Sequence, residues 1–344
     1  MTPSVGIVGG GIAGTAAAYA LRDAPVDVTL FEADERVGGR MVTRRRGGCV
    51  YDYGANFVKG GDERFRTVLE EAVGDDLQTV AGDVWVFDAD GTIAEGREEQ
   101  APKYTTPDGV RGIAAAFARQ SGAELAFETR VGHLHRTSAG WRLTTTGGRE
   151  EVVDGLVLAL PAGEAVSLLA DAEWGGEYQS DLMTAAERIP HRPVDSVVCH
   201  YPFRLDRPYY ALVSRDNDHE VGWCSREECK PGHVPAGESL LIVQLNPRWT
   251  ENHPEGDARE IERVARTAVA DLLDDERLRE PDWVDHQRWS AAVPDHGIDP
   301  ALVERASHYD LAIAGDWVAG TGRTYAALQT GLDAGEDIRE RVLS

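Results

Sequence analysis

Residues 4–40 read SVGIVGGGIAGTAAAYALRDAPVDVTLFEADERVGGR. The short apolar run Ser4 to Val8 stops at Gly9-Gly10-Gly11. Ile12 to Arg22 then shows alanine-rich helical spacing, and Val26 to Phe31 alternates with β-branched residues. Strand, glycine turn, helix and strand follow in that order, the context in which G-x-G-x-x-G carries meaning. Gly9 permits the tight turn, Gly11 lets the backbone approach a pyrophosphate, and Gly14 allows close helix–strand packing. The helix start at Ile12 and Ala13 offers N–H groups and a partial positive charge to phosphates. Glu32 closes the second strand 18 positions after Gly14. A carboxylate there accepts from both ribose hydroxyls and repels a 2′-phosphate, so the motif suits FAD or NAD and not NADP.

Downstream, Trp85 to Ile93 reads as a hairpin around Asp90-Gly91. From Glu124 to Leu160 the pattern reads as antiparallel: AELAFE, VGHLHR, WRLTTT and EEVVDGLVLAL are separated by turn signals at Ser138 to Gly140 and Gly147-Gly148. The last of these runs ends in Gly155 to Leu160, apolar enough for a buried parallel strand. Residues 172–300 differ in kind, with strands near Ser196 to His200 and Leu240 to Leu245 and a long helix over about Asp257 to Leu273. Leu311 to Ala314 is another buried strand, followed by a helix from Tyr325. The expected fold is α/β: a discontinuous Rossmann-like domain with a β-meander (1–57, 110–165 and 305–344) and an inserted α+β substrate domain (58–109 and 166–304).

Arg36-Val37-Gly38-Gly39-Arg40 continues the first motif, and Asp52-Tyr53-Gly54-Ala55-Asn56-Phe57 follows. Near the other end stand Ala314-Gly315-Asp316 and Tyr325-Ala326-Ala327-Leu328-Gln329-Thr330-Gly331. Together with Thr129-Arg130-Val131 and Asp154 to Pro161, these resemble, in order, the motifs of the flavin-containing amine oxidase superfamily. The resemblance implies non-covalent FAD held by Gly9, Gly11, Ile12, Ala13, Gly14, Glu32, Ala33, Gly39, Arg40, Gly54, Ala55, Asn56, Phe57, Val131, Gly315, Asp316, Ala326 and Ala327. In that superfamily Arg40 would lie over the phosphates, Asp52 to Phe57 beside the isoalloxazine, Val131 at the adenine and Asp316 at the ribityl chain. The helix start at Ala326 and Ala327 would face the flavin N1–C2=O edge and stabilise negative charge on the reduced ring.

Within the superfamily, Gln287-Arg288-Trp289-Ser290-Ala291-Ala292 and the compact middle region look most like renalase-type enzymes. Such enzymes are understood to oxidise dihydronicotinamide dinucleotide isomers, passing hydride to flavin N5 and electrons to oxygen. That chemistry needs a stacking pocket more than a general base. Amine oxidases of the superfamily usually hold a lysine, bridged by water to N5, in the substrate half. The only lysines here are Lys59, Lys103 and Lys230. Lys230 sits in a turn-like Cys-Lys-Pro-Gly context, and Lys59 follows the Asp52–Phe57 segment. No residue is assigned as the catalyst; Trp289, Trp317 and Lys59 are candidates, and Tyr209, Tyr210 and Trp223 could also wall a pocket. Two alternatives stay open: an amine oxidase or another FAD oxidase or desaturase, and a flavin-binding module without catalysis.

The 59 acidic against 35 basic side chains leave a net charge of -24, spread along the chain. Such a surplus repels nucleic acid and anionic lipid, so the expected partner is a small molecule, with NAD(P)H isomers foremost. Spread acidity with scarce lysine reads as a surface for a salt-rich, halophilic cytoplasm, with a basic protein partner as the competing explanation. Cys49, Cys199, Cys224 and Cys229 show no metal spacing, the histidines none either, and no metal is expected. No apolar run approaches a membrane span and no leader sequence is evident, so a cytoplasmic enzyme with free thiols is expected.

Overall fold

The computed structural model describes residues 2–97, 101–172 and 174–344. A five-stranded parallel sheet runs in the order Glu124–Ala126, Asp27–Phe31, Ser4–Val8, Gly155–Leu158, Leu311–Ile313. Ile7 lies between Leu30 and Val157 in register. Alternate side chains leave opposite faces of a strand, and the two cores sort accordingly. Val5, Ile7, Leu30, Val157 and Ala312 pack under the helices Ile12–Ala20, Arg111–Ser121 and Thr324–Val342. Val8, Phe31, Leu156, Leu158 and Ile313 pack against the antiparallel strands Val131–Thr137, Gly140–Thr145 and Glu150–Val153 and the helices Ala162–Ala170 and Glu177–Glu187.

One sequence expectation is corrected here. AELAFE is not part of the antiparallel meander: Glu124–Ala126 pairs in parallel with Thr29–Phe31 at the edge of the main sheet. Its backbone must follow a helix back to the sheet, and a short edge strand carries too few residues to declare its direction. EEVVDGLVLAL ends, as expected, in a buried parallel strand, Gly155–Leu158, and its first half, Glu150–Val153, closes the antiparallel meander. Asp154 separates the two, its carboxylate accepting from Ser4 N at 2.7 Å and Ser4 Oγ at 2.9 Å as the chain crosses between sheets.

A second, seven-stranded sheet has the order Trp283–Pro294, His191–Tyr201, Ser239–Leu245, Val221–Arg226, Ala211–Ser214, Val84–Phe87, Ile93–Ala94. Its last two strands form the hairpin around Asp90-Gly91, where the Asp88 carboxylate accepts from Asp90 N and Thr92 N. One face, with Val197, Cys199, Leu241 and Val243, is covered by the helix Ala258–Leu272 through Ile261, Ala265, Val269 and Leu272 at helical spacing. From the other face Val198, Leu240 and Ile242 meet Cys49, Tyr51 and Tyr53. The hairpin Thr43–Arg46/Cys49–Asp52 thus lies on the second sheet just before the chain reaches Gly54.

Candidate active site

The carboxyl ends of the parallel strands come together, where open α/β sheets bind their ligands. Gly9 N donates to Phe31 O, Ala159 N to Val8 O and Ala314 N to Leu158 O, each at 2.9 Å. Gly9 has φ +104°, and a Cβ on it would lie 2.6 Å from Ala159 O. A Cβ on Gly14 would collide with the carbonyl oxygen of Gly9, whereas one on Gly11 would meet no protein atom within 4 Å. The glycine that must let a ligand approach is therefore the one with open space before it. No side chain caps the helix at Ile12 and Ala13, so its leading N–H groups need acceptors from outside the helix. Gly38 and Gly39, at φ +132° and +55°, close the turn from the other side. Gly38 N donates to Gly10 O at 2.9 Å, and a Cβ on Gly39 would lie 3.3 Å from Gly11 Cα.

Glu32 is buried and accepts from Gly10 N at 2.7 Å and Asp34 N at 2.9 Å. Burial pushes its carboxyl above the ordinary range, and those N–H donors oppose the shift. Thr129 N donates to Glu32 O at 2.8 Å and Glu128 N to Asp34 O at 3.0 Å, so the segment leading to Val131 runs beside the end of the second strand.

Arg40 and Asp316, given separate roles by the resemblance, form one bidentate pair at 2.8 and 2.7 Å. Arg40 also donates to Ala292 O at 3.0 Å. Such a fork holds the guanidinium plane in one orientation. Thr330 Oγ1 accepts from Gly315 N at 3.0 Å and donates to Ala327 O at 3.0 Å. It ties the turn after the last parallel strand to the C-terminal helix. That helix lies against the first one through glycine: a Cβ on Gly331 would collide with Ala13 O, and one on Gly335 would sit 2.5 Å from Ala17 O. The close contact draws Ala326 and Ala327 toward the dinucleotide turn, and Thr324 Oγ1 donates to Phe57 O at 3.2 Å.

Between them runs the segment Tyr53 to Phe57. Ala55 N donates to Arg40 O at 3.0 Å, and Gln244 Nε2 donates to Gly54 O at 3.0 Å. Asn56 Oδ1 accepts from Ser225 Oγ at 2.7 Å and Trp223 Nε1 at 3.3 Å. Trp289 Nε1 donates to Tyr53 O at 3.1 Å, and its ring stacks on Tyr53 at 5.8 Å. Phe57 meets Trp223 and Tyr210, each at 6.0 Å between centroids. Phe57, Trp223 and Trp289 are half-buried and offer aromatic surface here.

The other aromatic candidates do not reach this wall with an open face. Trp317 is 1% exposed in the core behind the parallel sheet, with Nε1 donating to Leu160 O at 2.9 Å. Asp316 begins a helix, and the side chain of Trp317 turns inward. Tyr209 is buried against Trp85, and Tyr210 is wholly buried. Lys59 is exposed on the short strand Val58–Lys59, directly across from Lys103.

Lys230 is not in an exposed turn. Its fully buried Nζ lies 2.7 Å from Asp52 Oδ2 and 2.8 Å from Glu227 Oε1. Asp52 also accepts from Thr43 Oγ1 at 2.5 Å and Val110 N at 3.1 Å. His233 bridges Glu227 and the carbonyl of Thr106, at 3.4 and 2.9 Å. Burial works to strip the Lys230 proton, but the Asp52 and Glu227 carboxylates hold the ammonium charged beyond its usual range. Burial likewise opposes ionisation of Glu227, yet Lys230 and His233 hold it below the ordinary carboxylate range; burial and Glu227 push Asp52 up. The three basic residues Arg44, Arg45 and Arg46 are engaged too: Arg44 with Asp285 at 2.8 Å and over Tyr53 at 4.2 Å, Arg45 with Asp108, Arg46 over Trp283 at 4.6 Å.

A glycine-lined dinucleotide cleft meeting an aromatic wall defines a flavoprotein oxidoreductase, and the comparisons agree. The profile of flavin-containing amine oxidoreductases matches residues 75–339, and that of an NAD(P)-binding Rossmann-like domain matches residues 7–72. The chain belongs to the flavin-containing amine oxidoreductases, and its cofactor is FAD. Polyamine oxidase 4 of Oryza sativa subsp. japonica is 50% identical over 58 residues, 17% of this chain and 12% of that protein. Mouse renalase is 25% identical over 178 residues, 48% of this chain and 49% of that protein. A putative protoporphyrinogen oxidase from Exiguobacterium has the same fold, with TM-score 0.79, 16% identity and 99% of each chain covered. The matched segments span half or less of those curated relatives.

Proposed function

We propose that this FAD-dependent oxidoreductase takes a hydride from a small planar donor of the dihydronicotinamide type and returns the electrons to oxygen. The observation that carries this reading is the pairing of an aromatic wall with the burial of Lys230. Phe57, Trp223 and Trp289 flank the segment expected beside the flavin, while the lysine of the substrate half is locked between Asp52 and Glu227. Bound FAD supplies the two-electron acceptor. Stacking between Trp289 and its neighbours would orient a flat ring, and the fixed Asn56 and Gln244 amides hold the 54–57 backbone in place. Loss of hydride leaves the substrate ring as a cationic pyridinium, so no side chain must remove a proton; oxygen takes the two electrons and two protons and leaves as hydrogen peroxide.

The amine reading rests on the polyamine oxidase relative and on the ability of aromatic rings to hold an ammonium group. Both are tested by anaerobic mixing of the FAD-loaded protein with dihydronicotinamide dinucleotide isomers, ordinary NAD(P)H, polyamines and simple amines. Rapid bleaching of the flavin by the dinucleotide isomers is expected. Bleaching by amines alone would replace the proposal with amine oxidation, and bleaching by none would leave a flavin-binding module. The same reading holds FAD non-covalently, so acid precipitation should release all flavin to the supernatant.

A further inference from the structure

The structure brings two histidine–acid clusters together that no sequence spacing announces. One, Asp52, Glu227 and His233, already encloses a cation, the Lys230 ammonium. The other is Cys49, His200 and Glu238, whose donor atoms all lie within 4.8 Å of one another. It encloses none.

We propose that Cys49, His200 and Glu238 form a zinc site that fastens the hairpin Thr43–Arg46/Cys49–Asp52 to the second sheet. The three donors come from three elements: the hairpin, the strand His191–Tyr201, and the loop before Ser239–Leu245. Thiolate, imidazole and carboxylate are the ligand types that four-coordinate zinc takes, with water completing the tetrahedron. His200 Nε2 stands 2.8 Å from Glu238 Oε2. Bonds of about 2.0 Å would separate those two atoms by roughly 3.3 Å, so the pair must open by only about 0.5 Å. The other ring nitrogen, Nδ1, is buried without a hydrogen bond, 3.5 Å from the Asp282 carboxylate, which would need to close on it to orient a metal-bound histidine.

Coordination needs the thiolate, so metal binding at Cys49 would release a proton to solvent. The imidazole is fixed by parallel stacking on Trp283, 5.1 Å between centroids and 7° between planes. Cys49 is 1% exposed and the His200 side chain 6%, while Glu238 is 33% exposed and gives the ion a way in. Val50 N, next to Cys49, donates to His233 O at 2.7 Å. A metal at Cys49 would therefore brace the same strand that delivers Asp52 and Tyr53 to the flavin segment.

The test uses the full, FAD-loaded chain, stripped with a chelator and equilibrated with zinc in molar KCl to suppress loose association with the acidic surface. Expected are one zinc per chain by atomic emission and, at the zinc absorption edge, one sulfur neighbour at about 2.3 Å. Cys49→Ser should remove the sulfur signal. Glu238→Gln, at a solvent-accessible position, should weaken zinc binding at least tenfold with the flavin spectrum unchanged, and Asp282→Asn should weaken it by about tenfold. Zinc held by oxygen and nitrogen alone, affinity untouched by Glu238→Gln, or no zinc retained in molar KCl would each overturn the proposal. Should Cys49→Ser fail to fold, the sulfur neighbour in the unmodified chain and the Glu238→Gln affinity decide it.

Discussion

At the scale of single residues, the chemistry turns on which charges are free and which are engaged. Lys230 is one of three lysines, and its ammonium joins Asp52, at the end of the hairpin strand Cys49–Asp52, to Glu227 in the turn after the strand Val221–Arg226. Removing one partner of a buried ion pair leaves the others uncompensated. Lys230→Met is therefore expected to lower unfolding free energy by about 3–5 kcal/mol, read from urea denaturation. If Lys230 instead worked at the flavin, the variant would keep its stability and lose flavin reduction, which would contradict the assignment. The glycine turn after the first strand and the glutamate closing the second were legible in the sequence, because both answer to local geometry. Lys230 was not legible. Its partner Asp52 is 178 positions away, and Cys-Lys-Pro-Gly looks like any surface turn. Thr330 and Asn56 stood inside quoted motifs, yet their hydrogen bonds depend on a strand and a sheet from elsewhere in the chain.

At the scale of elements, two glycines decide how closely the first and last helices approach. Gly331→Ala puts a Cβ into the backbone of Ala13 and should cost about 2–3 kcal/mol, as overpacking does, while raising the dissociation constant for FAD. Gly163→Ala is the matched control: it lies in the helix Ala162–Ala170 with no atom within 4 Å of an added Cβ. That change should stabilise by about 0.5–1 kcal/mol, so equal melting temperatures for the two variants would refute the packing account. The hairpin Thr43–Arg46/Cys49–Asp52 is tied to the strand Trp283–Pro294 through Asp285, which accepts from Arg44 at 2.8 Å and Tyr51 at 2.8 Å. Burial pushes the Asp285 carboxyl up, but the Arg44 and Tyr51 hydrogen bonds outweigh it and hold the carboxyl below its ordinary value. A depressed carboxylate contributes stability that is fully present above its unfolded pKa of about 3.9 and is lost as pH falls through the lower folded value. Asp285→Asn should thus cost about 1–2 kcal/mol at pH 7, with the gap to the parent closing below about pH 4. A gap independent of pH would show that the carboxylate charge is not what matters. Periodicity identified most buried strands, but it could not give Glu124–Ala126 its direction, because three residues fit a parallel edge and an antiparallel one equally.

At the scale of the molecule, the net charge of -24 must be reconciled with a compact fold. Many arginines are absorbed locally, as Arg279 is by Asp271 and Glu276 and Arg277 by Asp275, so the uncompensated acidity lies on the surface. Unpaired surface carboxylates repel one another over a Debye length of about 10 Å at 0.1 M salt, shrinking to about 3 Å at 1 M. We propose that the acidity suits a salt-rich medium. Folding holds these charges closer together than the unfolded chain does, so screening should favour the folded state. The melting temperature is expected to rise by on the order of 5 °C or more between 0.1 and 2 M KCl, about 3–4 kcal/mol for a chain of 344 residues unfolding as a unit. The cause can be separated from general exclusion of solutes. Sucrose is excluded from the surface but screens nothing, so it should not reproduce the portion of the rise completed below about 1 M salt. A melting temperature flat in KCl, or matched by sucrose throughout, would mean that the acidity answers to something else, of which a basic protein partner is the alternative that the charge itself suggests.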